Sequence, residues 1–135
     1  MAITSGFNHV ATLTSDMDRT VRFYEEAFEG AVTFEVPKRD DHPWMKIIDL
    51  GGGAALNIFE VDETALIGER RQVGGRGAID HFGLAVDSLA TLEAVRDRIE
   101  AAGAQEVGTI QQLGHEWSLF FRDPDGMELE VCCPV

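Results

Sequence analysis

The sequence predicts an α+β fold of two tandem βαβββ modules that form a curved sheet around a shared cavity. Three observations carry this reading. A histidine sits in the opening strand candidate of each half, and His9 maps onto His81 at an offset of 72 residues. Glycines then stay in register, Gly30 with Gly103 and Gly53 with Gly126, both at 73. Finally, each half spans only about 55 residues, too few to bury a core alone, so the two should pack together as one domain.

The elements follow in order. Module one covers residues 5–61. Its first strand candidate is Phe7–Thr14, after which Ser15 or Asp16 offers a helix N-cap. Met17, Val21, Tyr24 and Phe28 recur at helical spacing, and Gly30 stands where a helix C-terminal glycine belongs. Strand-prone runs follow at Ala31–Val36, Trp44–Leu50 and Ala54–Val61, the last two separated by Gly51-Gly52-Gly53. Residues 62–77 carry several glycines and arginines, with no sustained period beyond a turn of helix near Thr64–Ile67, and read as a linker.

Module two, residues 78–135, repeats the plan. Ala78–Val86 reads as a strand, Asp87 or Ser88 caps a helix, and Leu89, Leu92, Val95, Ile99 and Ala102 form its apolar stripe. Gly103 ends that helix, and strands are expected at Gln105–Gln111, Glu116–Phe121 and Met127–Cys133. Asp123-Pro124-Asp125-Gly126 forces the last turn, with proline presetting one φ and glycine accepting a positive one. On the returning strand Glu128 and Glu130 share one face, and Met127, Leu129 and Val131 share the other.

Composition narrows the function classes. A net charge of −13 argues against nucleic acid and anionic membranes as partners, because phosphate recognition needs a basic surface. No apolar run approaches the roughly 20 residues of a spanning helix, and the N-terminal residues lack the basic flank and apolar stretch of a signal peptide. A cytoplasmic protein is the expectation. Cys132 and Cys133 are adjacent, which is no disulfide framework, and read as buried or half-buried thiols on a last strand.

The duplicated plan places His9, Asn57, His81 and Glu130 at equivalent inward positions of first and last strands. Two histidines and a carboxylate on rigid strands suit a divalent transition metal: imidazole favours Zn, Fe, Ni, Co or Cu, and the carboxylate admits Mn and Fe(II). Glu128 competes with Glu130 for the third position, and register with Asn57 favours Glu130. Asn57 could add a neutral oxygen or hydrogen-bond a bound water. His42 belongs to a polar loop. His115 fits a hairpin turn, with a proton-shuttling role at the cavity mouth as the alternative. Trp44, Phe34, Phe59, Trp117 and Phe120 are most simply core, although Phe59 and Phe120 fall in inward register and, with Trp117, are candidates to line a substrate pocket.

The Asn8-His9-Val10-Ala11 opening, the Asp80-His81-Phe82-Gly83-Leu84 opening and the Asp123–Glu130 close resemble the vicinal oxygen chelate superfamily across nearly the whole chain. That superfamily includes glyoxalase I, extradiol dioxygenases, fosfomycin-resistance thiol transferases, methylmalonyl-CoA epimerase and bleomycin-resistance proteins. The resemblance implies metal ligation by His9, His81 and Glu130, with Glu130 and His115 as candidate catalytic groups. It also implies a homodimer, since such modules often pair edge to edge across chains.

Departures from each subfamily are specific. Asn57 replaces the second glutamate of glyoxalase I and cannot act as a base. Phe120 replaces the tyrosine that extradiol dioxygenases and fosfomycin enzymes carry ten residues before the closing Glu. Ala11 replaces the fosfomycin enzymes' threonine. The epimerases carry an amide where Asn57 stands but close with a different turn. The sequence therefore predicts a metal-dependent enzyme acting on a small oxygen-bearing organic molecule, of unassigned reaction. The alternative is a bleomycin-resistance-type binder without turnover.

Overall fold

In the computed structural model, residues 1–66 and 79–135 are described. Linker residues 67–77 and the start of the expected Ala78–Val86 strand lie outside them. The element order is β1 (His9–Thr14), α1 (Met17–Phe28), β2 (Ala31–Val36), β3 (Met45–Gly51), β4 (Ala54–Glu60), a 3-10 turn (Glu63–Ala65), β5 (Phe82–Ala85), α2 (Leu89–Ala101), β6 (Gln111–Leu113), β7 (Glu116–Arg122) and β8 (Glu128–Pro134). Two four-stranded sheets result, in the orders β1-β4-β3-β2 and β5-β8-β7-β6. In each, the first strand runs parallel to the last and the remaining neighbours are antiparallel. The two βαβββ modules are therefore present.

Helix starts follow the expected chemistry. Asp16 accepts from the Arg19 N–H at 3.0 Å and Ser88 from the Thr91 N–H at 3.1 Å, each satisfying a donor that the first turn leaves free. The C-terminus of α1 differs from expectation. Glu29, with φ 56°, takes the left-handed position. Gly30 is required for another reason: a Cβ there would stand 2.8 Å from Ile48 Cγ2 and 3.2 Å from the Tyr24 carbonyl. In module two Gly103, at φ 95°, plays the expected left-handed part.

One strand expectation is corrected. Gln105–Gln111 is not a strand, because Glu106 adopts φ 49° and breaks the extended run. Gln105 and Gly108 make backbone hydrogen bonds to β7, at Arg122 and Phe120, before pairing proper begins at Gln111.

The two modules share one core. Met17, Phe23 and Tyr24 of α1 are buried together with Leu92 and Ile99 of α2, Leu56 and Ile58 of β4, and Leu129 and Val131 of β8. α1 packs against α2, and the Phe23 and Phe28 rings stand 6.3 and 6.0 Å from Phe121 of β7. The Asp-Pro-Asp-Gly turn fastens module two to α1. Asp123 accepts from the Tyr24 hydroxyl at 2.9 Å, while Asp125 accepts from Thr20 at 2.7 Å and pairs with Arg19 at 2.7 Å. With the helices on one face of the sheets, alternation leaves the other face open, and that face carries the polar side chains considered next.

Candidate metal centre

β8 alternates cleanly. Leu129, Val131 and Cys133 are buried in the core, while Glu128, Glu130 and Cys132 are half-buried on the open face. The two carboxylates on that face have different partners. Glu128 lies 3.4 Å from the guanidinium of Arg122, the residue directly opposite it on β7, and Arg122 also pairs with Glu106 at 2.6 Å. Glu130 instead lies on His81: Glu130 Oε2 is 3.3 Å from His81 Nε2, and Glu130 Oε1 accepts from the Ser118 hydroxyl at 2.6 Å.

Each histidine is oriented by the residue before it. His81 Nδ1 is 2.7 Å from Asp80 Oδ1, and His9 Nδ1 is 2.8 Å from Asn8 Oδ1. A carboxylate or amide oxygen only accepts, so in both rings the contact assigns the donor role to Nδ1 and leaves Nε2 turned towards other partners. Such an outer-shell acceptor on Nδ1 is the usual companion of a metal-binding imidazole.

His81 Nε2 therefore faces a carboxylate oxygen at 3.3 Å, an approach bridged either by a proton on the ring or by a cation held between the two. Ligands bonded to one ion at about 2.1 Å each span roughly 3.0–3.4 Å between them. The donor set and its spacing fit a divalent metal.

His9 is not part of this contact. It stands on the edge strand β1, is exposed, and with His81 lines a cavity of about 410 Å³ whose walls include Phe7, Leu50, Leu56 and Phe82. Neither Asn57 nor Glu130 lines that cavity. Asn57 lies in β4 opposite Ala11 of β1 and Ile47 of β3. The structure thus brings His81 and Glu130 together and holds His9 and Asn57 on the first sheet.

The pocket candidates separate as well. Phe120 is opposite Glu130 and meets the His81 ring edge-on at 5.2 Å, so it belongs to the site. Phe59 stands 6.0 Å from His42, whose loop folds back towards the first sheet and is not fully solvated as expected. Trp117 pairs with buried Cys133 and packs on the core, the simpler of its two readings, because its position alternates with that of Ser118. His115 is exposed in the turn between β6 and β7, as a hairpin residue.

Sequence reasoning missed three neighbours of Glu130. Ligand atoms of Glu116, Glu130 and Cys132 lie within 4.8 Å of one another. Burial, then the nearby Glu116 and Glu130 charges, push the Cys132 thiol up to about 11. Ser118 is the third. Alternation on β7 could have indicated Glu116 and Ser118, since both share a face with Phe120.

A family profile described as the Glyoxalase/Bleomycin resistance protein/Dioxygenase superfamily matches residues 6–131. A probable chloroplastic lactoylglutathione lyase of Arabidopsis thaliana is 32% identical over 126 residues, which are 91% of this chain and 34% of that protein. The chain therefore spans about a third of that relative's length. Among solved structures, a glyoxylase/bleomycin resistance protein/dioxygenase domain from Frankia sp. EAN1pec superposes with a TM-score of 0.79 at 28% identity, covering 98% of this chain and 99% of the other. The fosfomycin resistance protein FosX of Mesorhizobium loti shares the fold, with a TM-score of 0.69 at 17% identity over 96% of this chain and 91% of its own.

Proposed function

The chain belongs to the glyoxalase/bleomycin resistance protein/dioxygenase superfamily, and from that premise we propose that it is a metal-dependent enzyme acting on a small oxygen-bearing organic molecule. The observation that supports the proposal is the 3.3 Å approach of His81 Nε2 and Glu130 Oε2, which a cation held between them, or a proton on the ring, would bridge. His81 and Glu130 would hold the ion, with His9 as third ligand through its free Nε2. A divalent ion bound there supplies Lewis-acid stabilisation of developing oxyanion charge on the substrate.

The chain's own residues would do the rest. Asp80 and Asn8 keep the two imidazoles oriented through Nδ1. Phe120 presents an apolar ring beside His81, shielding one side of the site from water without a hydroxyl to donate. Glu130 would also be the proton acceptor for a bound substrate, because Asn57 has no titratable group and Glu128 is engaged by Arg122.

The separation of His9 from Glu130 supports a homodimer. Strands β1 and β5 are both sheet edges, and Phe7 is exposed just ahead of β1. An open edge is a template for pairing with another chain. His9 and His81 of one chain line the same cavity, and edge-to-edge pairing of two copies would instead set His9 of one against His81 and Glu130 of the other.

A complementation experiment tests this reading. His9→Ala and Glu130→Ala proteins, each deficient in metal, are unfolded together and refolded as a mixture. Recovery of metal in the mixed dimer, to about half an equivalent per site, is the expected result. A parent protein that takes up none of Ni, Co, Mn or Fe(II) would sink the enzyme proposal and favour a binding protein without turnover. That alternative rests on the open aromatic face around Phe34 and Phe59.

A further inference from the structure

We propose that Ser118 is a positioning residue of this centre, holding one oxygen of Glu130 so that the other is directed at His81; the inference rests on the metal reading above. Ser118 is 1% exposed, on the strand that also carries buried Leu119 and Phe121. A hydroxyl buried there without a partner would lose its bonds to water with nothing in return. Its partner is Glu130 Oε1, at 2.6 Å, a short charge-assisted bond. The other oxygen, Oε2, is the one facing His81 Nε2.

A glutamate side chain left to itself can turn its carboxylate plane and offer a cation one oxygen or both. The Ser118 donor occupies a lone pair of Oε1 and fixes that plane, which favours ligation through Oε2 alone. Ligation by one oxygen leaves an additional position open for a substrate oxygen or water.

The internal repeat provides a comparison within the same chain. In the second sheet Ser118 pairs with Cys132 and Phe120 with Glu130. In the first sheet the corresponding pairs are Met45 with Phe59 and Ile47 with Asn57. Where the carboxylate is replaced by Asn57, the hydroxyl is replaced by Met45. The hydroxyl accompanies the carboxylate, and only the second module has the pair.

The test is a Co²⁺ competition titration of the parent and of Ser118→Ala, Ser118→Cys and Ser118→Thr, with the visible spectrum of bound Co²⁺ as second readout. Loss of an outer-shell partner typically weakens metal binding about 10–100-fold. That loss is expected for Ala and for Cys, which keeps the volume but donates poorly, together with a shift of the Co²⁺ bands. Thr retains the hydroxyl and is expected within about threefold of the parent. A role confined to folding would lower the thermal midpoint of the metal-free protein and leave the spectrum unchanged. Ala and Cys variants that bind Co²⁺ as tightly as the parent, with the same spectrum, would overturn the inference while the metal reading stands. A parent that takes up no Co²⁺, nor any of the other ions, overturns both.

Discussion

The Tyr24 hydroxyl donates to the buried carboxylate of Asp123 at 2.9 Å, joining α1 of the first module to the last turn of the second. Both groups are removed from water, and burial, then Asp123, raises the Tyr24 pKa well above its ordinary value. Hydrogen bonds to charged groups contribute about 1.5–3 kcal/mol, so Tyr24→Phe should lower the unfolding free energy by that much at pH 8. Urea denaturation checks it. A variant within about 0.5 kcal/mol of the parent would show that the bond adds little beyond its packing.

Asp123 gives the fold a defined pH dependence. Burial and the neighbouring Asp125 charge raise its pKa from 3.8 to about 6, against the lowering effect of Tyr24 and the Met127 and Asp125 N–H groups. The folded chain thus binds this proton more tightly than the unfolded one. Stability from this group is fully present below about pH 4 and is lost as pH rises through about 6. Asp123→Asn removes the titration: its oxygen can keep the two backbone N–H bonds, and its amide can donate to Tyr24. The stability of Asp123→Asn minus that of the parent should therefore grow between pH 4 and pH 8 by on the order of 3 kcal/mol. A difference that stays constant across that range would refute the assignment. Arg19, which pairs with Asp125, is unaltered in both proteins.

Gly30 is needed for space. An Ala Cβ would meet Ile48 Cγ2 at 2.8 Å and the Tyr24 carbonyl at 3.2 Å, so either α1 or β3 must shift. Overpacking of this kind costs about 1–3 kcal/mol, or a fall of roughly 3–10 °C in Tm for a chain of this size. Thermal denaturation followed by circular dichroism measures it. An unchanged Tm would mean that the helix end moves freely.

The fold was legible because its signals are local and duplicated. Alternation in β8, the α1 stripe and the positive-φ glycines at Gly103 and Gly126 each follow from side-chain type and short spacing. Glu106 was not legible, since a non-glycine residue with positive φ has no composition cue. At the site, period-two spacing put Glu128 and Glu130 on one face, but the choice between them depends on Arg122 and His81, which lie elsewhere in the chain. Gly30 was read for its conformation, whereas its function is close approach to Ile48. The expected meeting of His9 with Glu130 was read from register alone, which does not encode how the two sheets sit, and the two residues lie on different sheets.

In the proposed site Glu130, and not Glu128, would bind a divalent ion with His81. Isothermal titration with Co²⁺ or Mn²⁺ of the parent, His81→Ala, Glu130→Ala and Glu128→Ala tests it most directly. Because Glu130 Oε2 faces His81 Nε2 while Glu128 is held by Arg122, the account predicts one ion per site in the parent and in Glu128→Ala. It predicts loss of at least about a hundredfold in affinity for the other two variants. Full binding by Glu130→Ala, or no binding by the parent, would contradict it.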